Sequence, residues 1–313
     1  MKALSLGGII PPLLTPLHED EALDEESLRR LIAHVLAGGV NGIFVFGSSG
    51  EGPMLRPAVR RRAVEVAAEA IAGRVPLLVG VSDCSVARVR EQMEALVRPG
   101  VDAFVATLPY YGDFSGAAIQ LRFFRQIADL SPRPLVLYNI PQAVHAAIAP
   151  ATFAELAAHP NIVAIKDSSG NVGNLQRMAL LGADSGAAVF TGAESIGGPC
   201  LLAGASGIIG ATCNLAPDRW AELYRTAQRG DWEAVRRLQR RLTDLGSLCS
   251  HGYWLGCLKT AAHLMGLCGP KLASPAEGPD AEGVERIRQV LVRHGLLAGN
   301  SAELCPKSST KTG

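Results

Sequence analysis

At 313 residues the chain is long enough to bury a sizeable core, and with 48% hydrophobic and 19% charged residues it has the composition of a folded α/β protein rather than a disordered one. Its 30 basic and 29 acidic residues leave a net charge of +1, so no electrostatic surplus calls for nucleic acid or an anionic membrane as a partner. The N-terminus carries no charged segment followed by a long apolar run, and no window reaches the ~18 unbroken apolar residues of a membrane span, which leads us to expect a soluble, cytoplasmic protein.

From residue 8 onward short apolar runs alternate with longer stretches of helical periodicity. The runs are Gly8–Leu14, Gly42–Phe46, Pro76–Val81, Val101–Thr107, Pro134–Tyr138, Ile162–Lys166, Ala187–Thr191 and Gly207–Gly210. Between them, patterns such as Leu28, Leu31, Ile32, Val35 and Leu36 place apolar residues on one helical face. The punctuation agrees: Asp24 and Ser115 suit N-caps, Pro57 suits a first turn, and Gly38-Gly39 follows the first helix. Eight strands, each followed by a helix, is the layout of a (β/α)8 TIM barrel of roughly 250 residues. The predicted barrel spans residues 1–228. Three helices, Asp231–Leu248, Tyr253–Leu267 and Ala281–His294, form a C-terminal extension within 229–297, and 298–313 is expected to be a flexible polar tail. A doubly wound open sheet fits less well, because the first strand–helix turn lacks a glycine-rich dinucleotide fingerprint.

Catalytic side chains of such a barrel stand at the C-terminal ends of strands and in the loops beyond them. The sixth run ends in Lys166, after four apolar residues of which three are β-branched. An amine held there is desolvated, which favours its neutral, nucleophilic form, and such an amine can form a Schiff base with a ketone. The competing reading pairs Lys166 with Asp167 at the rim. The second run opens into Gly47-Ser-Ser-Gly-Glu-Gly52, whose glycines let backbone N–H groups and the hydroxyls of Ser48 and Ser49 point at an anion such as a carboxylate. Tyr138 ends the fifth run, Tyr110-Tyr111 follows the fourth, and Gly192-Ala-Glu194-Ser195 follows the seventh, with Gly192 and Glu194 as candidate substrate contacts. The seven cysteines (84, 200, 213, 249, 257, 268 and 305) are scattered without a C-x-x-C pair, so neither disulfides nor a thiolate metal site is expected.

The Gly-Ser-Ser-Gly-Glu loop at 47–51, Pro109-Tyr-Tyr111, Tyr138-Asn-Ile-Pro141 and Ile165-Lys-Asp-Ser-Ser-Gly170, in that order and spacing, resemble the class I pyruvate aldolases that include dihydrodipicolinate synthase and N-acetylneuraminate lyase. The resemblance runs from about residue 8 to about residue 266. It implies an imine between Lys166 and the keto carbon of pyruvate or another 2-oxo acid, with an aldehyde as the second substrate and no metal or organic cofactor. Tyr138 is implied to move protons through a hydroxyl matching Ser49 to a tyrosine of the neighbouring subunit matching Tyr111. A homo-oligomer follows, a dimer of dimers (homotetramer). Ser48 and Ser49 would hold the pyruvate carboxylate, and Ile209 matches a position whose backbone carbonyl lies near the lysine.

Departures concern the acceptor. Dihydrodipicolinate synthases carry an arginine two residues after the proline of Tyr-Asn-x-Pro, where this chain has Ala143, and a methyl group cannot replace a bidentate guanidinium. N-Acetylneuraminate lyases place two acidic residues after strand seven, where this chain has Glu194 and Ser195. The expected activity is therefore a Schiff-base lyase, catalysing aldol cleavage or condensation, or a dehydration, of a 2-oxo acid. Three alternatives compete with it. Dihydrodipicolinate synthesis proper is opposed by Ala143, whereas 4-hydroxy-2-oxoglutarate cleavage is suggested by Ala128–Pro132 and His159–Val163. A 2-oxo-acid-binding sensor barrel has little use for a proton relay.

Overall fold

The computed structural model describes residues 4–298. Eight parallel strands, β1 (Gly8–Ile9), β2 (Ile43–Val45), β3 (Leu77–Gly80), β4 (Ala103–Thr107), β5 (Leu135–Asn139), β6 (Ile162–Asp167), β7 (Ala188–Thr191) and β8 (Gly207–Ile208), run in the order β1-β8-β7-β6-β5-β4-β3-β2. A bridge between Pro12 and Phe44, with Leu13 N–H donating to Phe44 O at 2.7 Å, joins β1 to β2 and completes the ring. This is the (β/α)8 barrel.

Residues alternate between two apolar layers, as a period of two requires. Ile10, Phe44, Leu78, Ala103, Val105, Val136, Tyr138, Ala164, Phe190 and Ile209 fill the barrel interior. Their chain neighbours Phe104, Leu135, Leu137 and Ile165 belong to the larger core under the helices. Burial on both faces explains why the strands read as unbroken apolar runs.

Several of the apolar runs are longer than the strands they produce. Gly8–Leu14 yields the two-residue β1, because Pro11 and Pro12 have no N–H to continue a ladder. Asp24 caps the helix Glu25–Ala37 by accepting from Ser27 N–H, and Pro57 opens the helix Pro57–Ile71. Ser115 is not a cap: the helix starts at Ala117 after Gly116, while the Ser115 hydroxyl donates to Asp113 at 2.6 Å. Beyond the barrel come helices Trp232–Gly246, Trp254–Leu264 and Ala281–Arg293, the three predicted. The predicted tail from 299 onward lies outside the described residues. Among the described residues no helix is long and apolar enough to cross a membrane, and the six cysteines within them are free thiols.

Candidate active site

Lys166 is the fifth residue of β6 and in register with Tyr138 of β5 and Phe190 of β7. Strand alternation sends all three side chains into the barrel at the same height. Lys166 is 4% exposed, and its Nζ lies 4.2 Å from the centroid of the Tyr138 ring and 5.5 Å from that of Phe44. Asp167 points to the opposite face, where it accepts from Asn139 Nδ2 at 2.7 Å and from the Ser169 hydroxyl at 2.9 Å. The rim ion pair between Lys166 and Asp167 is thus not formed, and the lysine faces a phenol instead. Burial raises the Tyr138 phenol, but the Lys166 charge and hydrogen bonding with Ser48, Ser168 and Lys166 outweigh it and hold the phenol below its ordinary value.

Gly192, just past β7, has a steric role. A Cβ there would stand 2.0 Å from Ser168 Oγ and 2.8 Å from Lys166 Cε, so only glycine leaves the lysine arm its room.

The Gly47–Gly52 loop brings Ser48 Oγ to 3.5 Å from the Tyr138 hydroxyl. Ser49, buried beside it, also lines the cavity but makes no hydrogen bond to Tyr138 among the described contacts. The hydroxyl next to the phenol is therefore that of Ser48, not that of Ser49 as the resemblance implied. Two adjacent serines in a glycine loop point different ways, and the sequence does not reveal which way each turns. Tyr111 stands 85% exposed and away from this cavity.

The cavity has a volume of about 880 Å³. Its floor is Lys166, Tyr138, Ser48, Ser49, Gly192 and Ile209, the group singled out in the sequence. Glu194 lines one wall, with Oε1 accepting from Thr212 N–H at 2.8 Å and from the Thr212 hydroxyl at 2.7 Å. Thr212 in turn accepts from Trp220 Nε1 at 3.0 Å. Burial pushes the Glu194 carboxyl up to about 7, against the pull of the Thr212 hydrogen bonds and the Lys166 charge. Ala143 and Gln142 line the side where the acceptor arginine of dihydrodipicolinate synthases would stand.

The outer wall went unread in the sequence: Thr243 and Ser247 at the end of one C-terminal helix, and Trp254 at the start of the next. A signal was present. Gln239, Thr243 and Ser247 repeat at intervals of four, a polar stripe that runs from the buried face of the helix to the mouth of the cavity. Gln239 holds that stripe to the wall by donating to Glu194 O at 2.8 Å and to Thr243 Oγ1 at 3.0 Å.

A barrel that aims a buried lysine at a phenol inside a cavity with serine and threonine hydroxyls on its walls is a lyase working through a lysine imine. Comparison with known proteins places it further: the chain belongs to the dihydrodipicolinate synthetase family, whose model matches residues 5–292. It is 32% identical over 289 residues to a 4-hydroxy-tetrahydrodipicolinate synthase of Methanospirillum hungatei, covering 92% of this chain and 99% of that one. The identity to the protein of the same name from Thermus thermophilus is 35% over 292 residues, 93% of this chain and 97% of that one. Among solved structures, dihydrodipicolinate synthase from Thermotoga maritima superposes with a TM-score of 0.90 at 27% identity, over 94% of this chain and 100% of that one. A prophage protein of the same family from E. coli K12, solved in complex with pyruvate, gives 0.88 at 28% identity, over 93% and 99%.

Proposed function

We propose that this lyase takes pyruvate as its donor and a hydroxylated, uncharged aldehyde as its acceptor, in the direction of either condensation or cleavage. Support for the donor comes from the floor of the cavity. The Lys166 amine attacks the keto carbon to give a carbinolamine, Tyr138 delivers a proton to the departing hydroxyl, and water leaves as the imine forms. Tyr138, now a phenolate, takes a proton from the methyl carbon to give an enamine, whose carbon bonds to the aldehyde carbon as Tyr138 returns that proton to the new alkoxide. Hydrolysis of the imine returns the amine. Ser48 connects the phenol to a relay that Tyr111 of a neighbouring subunit completes, with Ser49 and the backbone of its loop on the carboxylate and the Ile209 carbonyl beside the lysine.

The observation that carries the acceptor half is charge. Among the described residues lining the cavity, Lys166 is the one cation, and it is committed to the imine. An anionic acceptor would lose its hydration with no partner in return, which costs several kcal/mol. Glu194, Gln142, Ser195, Thr243 and Ser247 instead offer hydrogen-bonding groups to hydroxyls. The relatives named 4-hydroxy-tetrahydrodipicolinate synthase support the donor chemistry, and Ala143 is where this chain departs from an acceptor carboxylate.

Incubation with pyruvate and borohydride should add the reduced adduct to the peptide containing Lys166 and abolish activity. Label on another lysine, or none, refutes the imine. Efficient condensation with aspartate semialdehyde, compared as kcat/KM with short hydroxyaldehydes, would overturn the acceptor reading and leave the imine intact.

A further inference from the structure

Glu51, the last residue of the Gly-Ser-Ser-Gly-Glu motif, has no part in the imine chemistry, yet it is among the most constrained residues of the molecule. Its backbone is left-handed, at φ 55°, and so is that of Phe46 at the other end of the loop, at φ 62°. Neither is a glycine, and such conformations persist only where the surroundings enforce them. The enforcement is visible. A Cβ on Gly80 would meet Phe46 O at 2.3 Å, so β3 presses directly on the loop, and Gly50 O accepts from the Thr15 hydroxyl at 2.8 Å.

The Glu51 carboxylate provides the remaining tie. Its Oε1 lies 2.5 Å from Lys259 Nζ, and both side chains are 0% exposed. Glu51 Oε2 accepts from Ala273 N–H at 2.7 Å, and Lys259 Nζ donates to Lys271 O at 2.6 Å. Burial pulls the Lys259 ammonium below its ordinary value and the Glu51 charge opposes that pull. A buried ion pair of this kind contributes little more stability than two apolar side chains of the same volume, so its use here points to something other than stability. Lys259 sits on the helix Trp254–Leu264, whose first residue, Trp254, forms the outer wall of the cavity.

We propose that the Glu51–Lys259 ion pair is a positioning device: it holds Ser48 and Ser49 at the height of Lys166 and ties that hydroxyl loop to the helix that presents Trp254. The donor and acceptor halves of the cavity are then set by one contact. The proposal rests on the lysine-imine reading.

The test compares wild type, Glu51→Gln, Lys259→Met, the double variant and Glu51→Asp. Each is measured for thermal stability, KM for pyruvate, rate of borohydride trapping and the pH profile of kcat/KM. Each single variant strands one buried charge, so both singles lose stability, whereas the double variant strands none and regains most of it. If the pair positions the loop, the double variant remains impaired despite its recovered stability. Its KM for pyruvate stays up and its trapping rate stays down by roughly 10–100-fold, the range a displacement of about 1 Å produces. The limb of its pH profile that belongs to Tyr138 moves to higher pH, because Ser48 no longer supports the phenolate. Glu51→Asp keeps the charge and tolerates the left-handed backbone but withdraws the carboxylate by one methylene, and shows the same kinetic defect. Wild-type KM, trapping rate and pH profile in the double variant overturn the proposal. So does a wild-type trapping rate in Glu51→Asp, should that be the variant that folds. A wild type that pyruvate and borohydride fail to label refutes the imine itself, an outcome distinct from labelled wild type with unaffected variants.

Discussion

At the scale of single residues, Glu194 connects the electrostatics of the cavity to a pH dependence. Its carboxyl is pushed up to about 7 from an ordinary 4.5 by burial, against Thr212 and Lys166. The folded state therefore keeps a proton that the unfolded chain releases between those two values, and native stability declines as pH rises across that window. For catalysis the consequence is an inflection in kcat/KM for a hydroxylated acceptor near pH 7, where Glu194 changes from donor to acceptor. Glu194→Gln should remove that inflection without altering pyruvate trapping, and a profile unchanged by the substitution would sever Glu194 from acceptor binding. Lys166 and Tyr138 were legible in the sequence as the ends of apolar runs, but the apolar run alone left Lys166 two readings, an amine in the cavity or a rim pair with Asp167, and only the strand register separates them. The relative roles of Ser48 and Ser49 were not legible, since neighbouring loop residues are separated only by backbone torsions that glycines leave free.

At the scale of elements, strand number and order followed from the alternation of apolar runs and helical patterns, while strand ends did not, because proline ends a ladder within an apolar run as Pro11 and Pro12 do. The helix Trp232–Gly246 was expected as an element of the C-terminal extension, but its side chains were not expected to reach the cavity. The barrel interior is where packing and chemistry meet. Phe190 is fully buried on β7 and in register with Lys166. Phe190→Ala should destabilise the fold by about 3–5 kcal/mol, the usual cost of emptying an aromatic site in a core. The same cavity should loosen Lys166 and slow trapping, and chemical denaturation alongside borohydride kinetics reads both effects. A loss below about 1 kcal/mol would mean that the interior collapses around the gap.

At the scale of the whole molecule, the barrel of one chain builds the lysine, phenol and serine part of the site but leaves Tyr111 in solvent. If the relay is completed across a subunit interface, Tyr111→Phe should lower the rate by roughly 10²–10⁴, the usual worth of acid–base catalysis. Hybrids formed by mixing Tyr111→Phe with Tyr138→Phe subunits should recover activity, since each supplies the tyrosine the other lacks. Assembly state is measured together with rate, since a subunit released from its neighbours would lose the partner's Tyr111 as the substitution does. The closure of the ring has a consequence for biosynthesis. Gly8 pairs with Gly207, and Asn214 stitches the seam by donating to Pro12 O at 2.9 Å and accepting from Leu14 N–H at 3.1 Å. The first strand to leave the ribosome thus waits through some two hundred residues of synthesis for its partner, its edge open to strangers in the meantime. Contacts so distant in sequence make for slow folding. A nascent chain that stops short of Asn214 holds Lys166 in an unclosed ring, so the cavity takes shape only after synthesis has passed that residue.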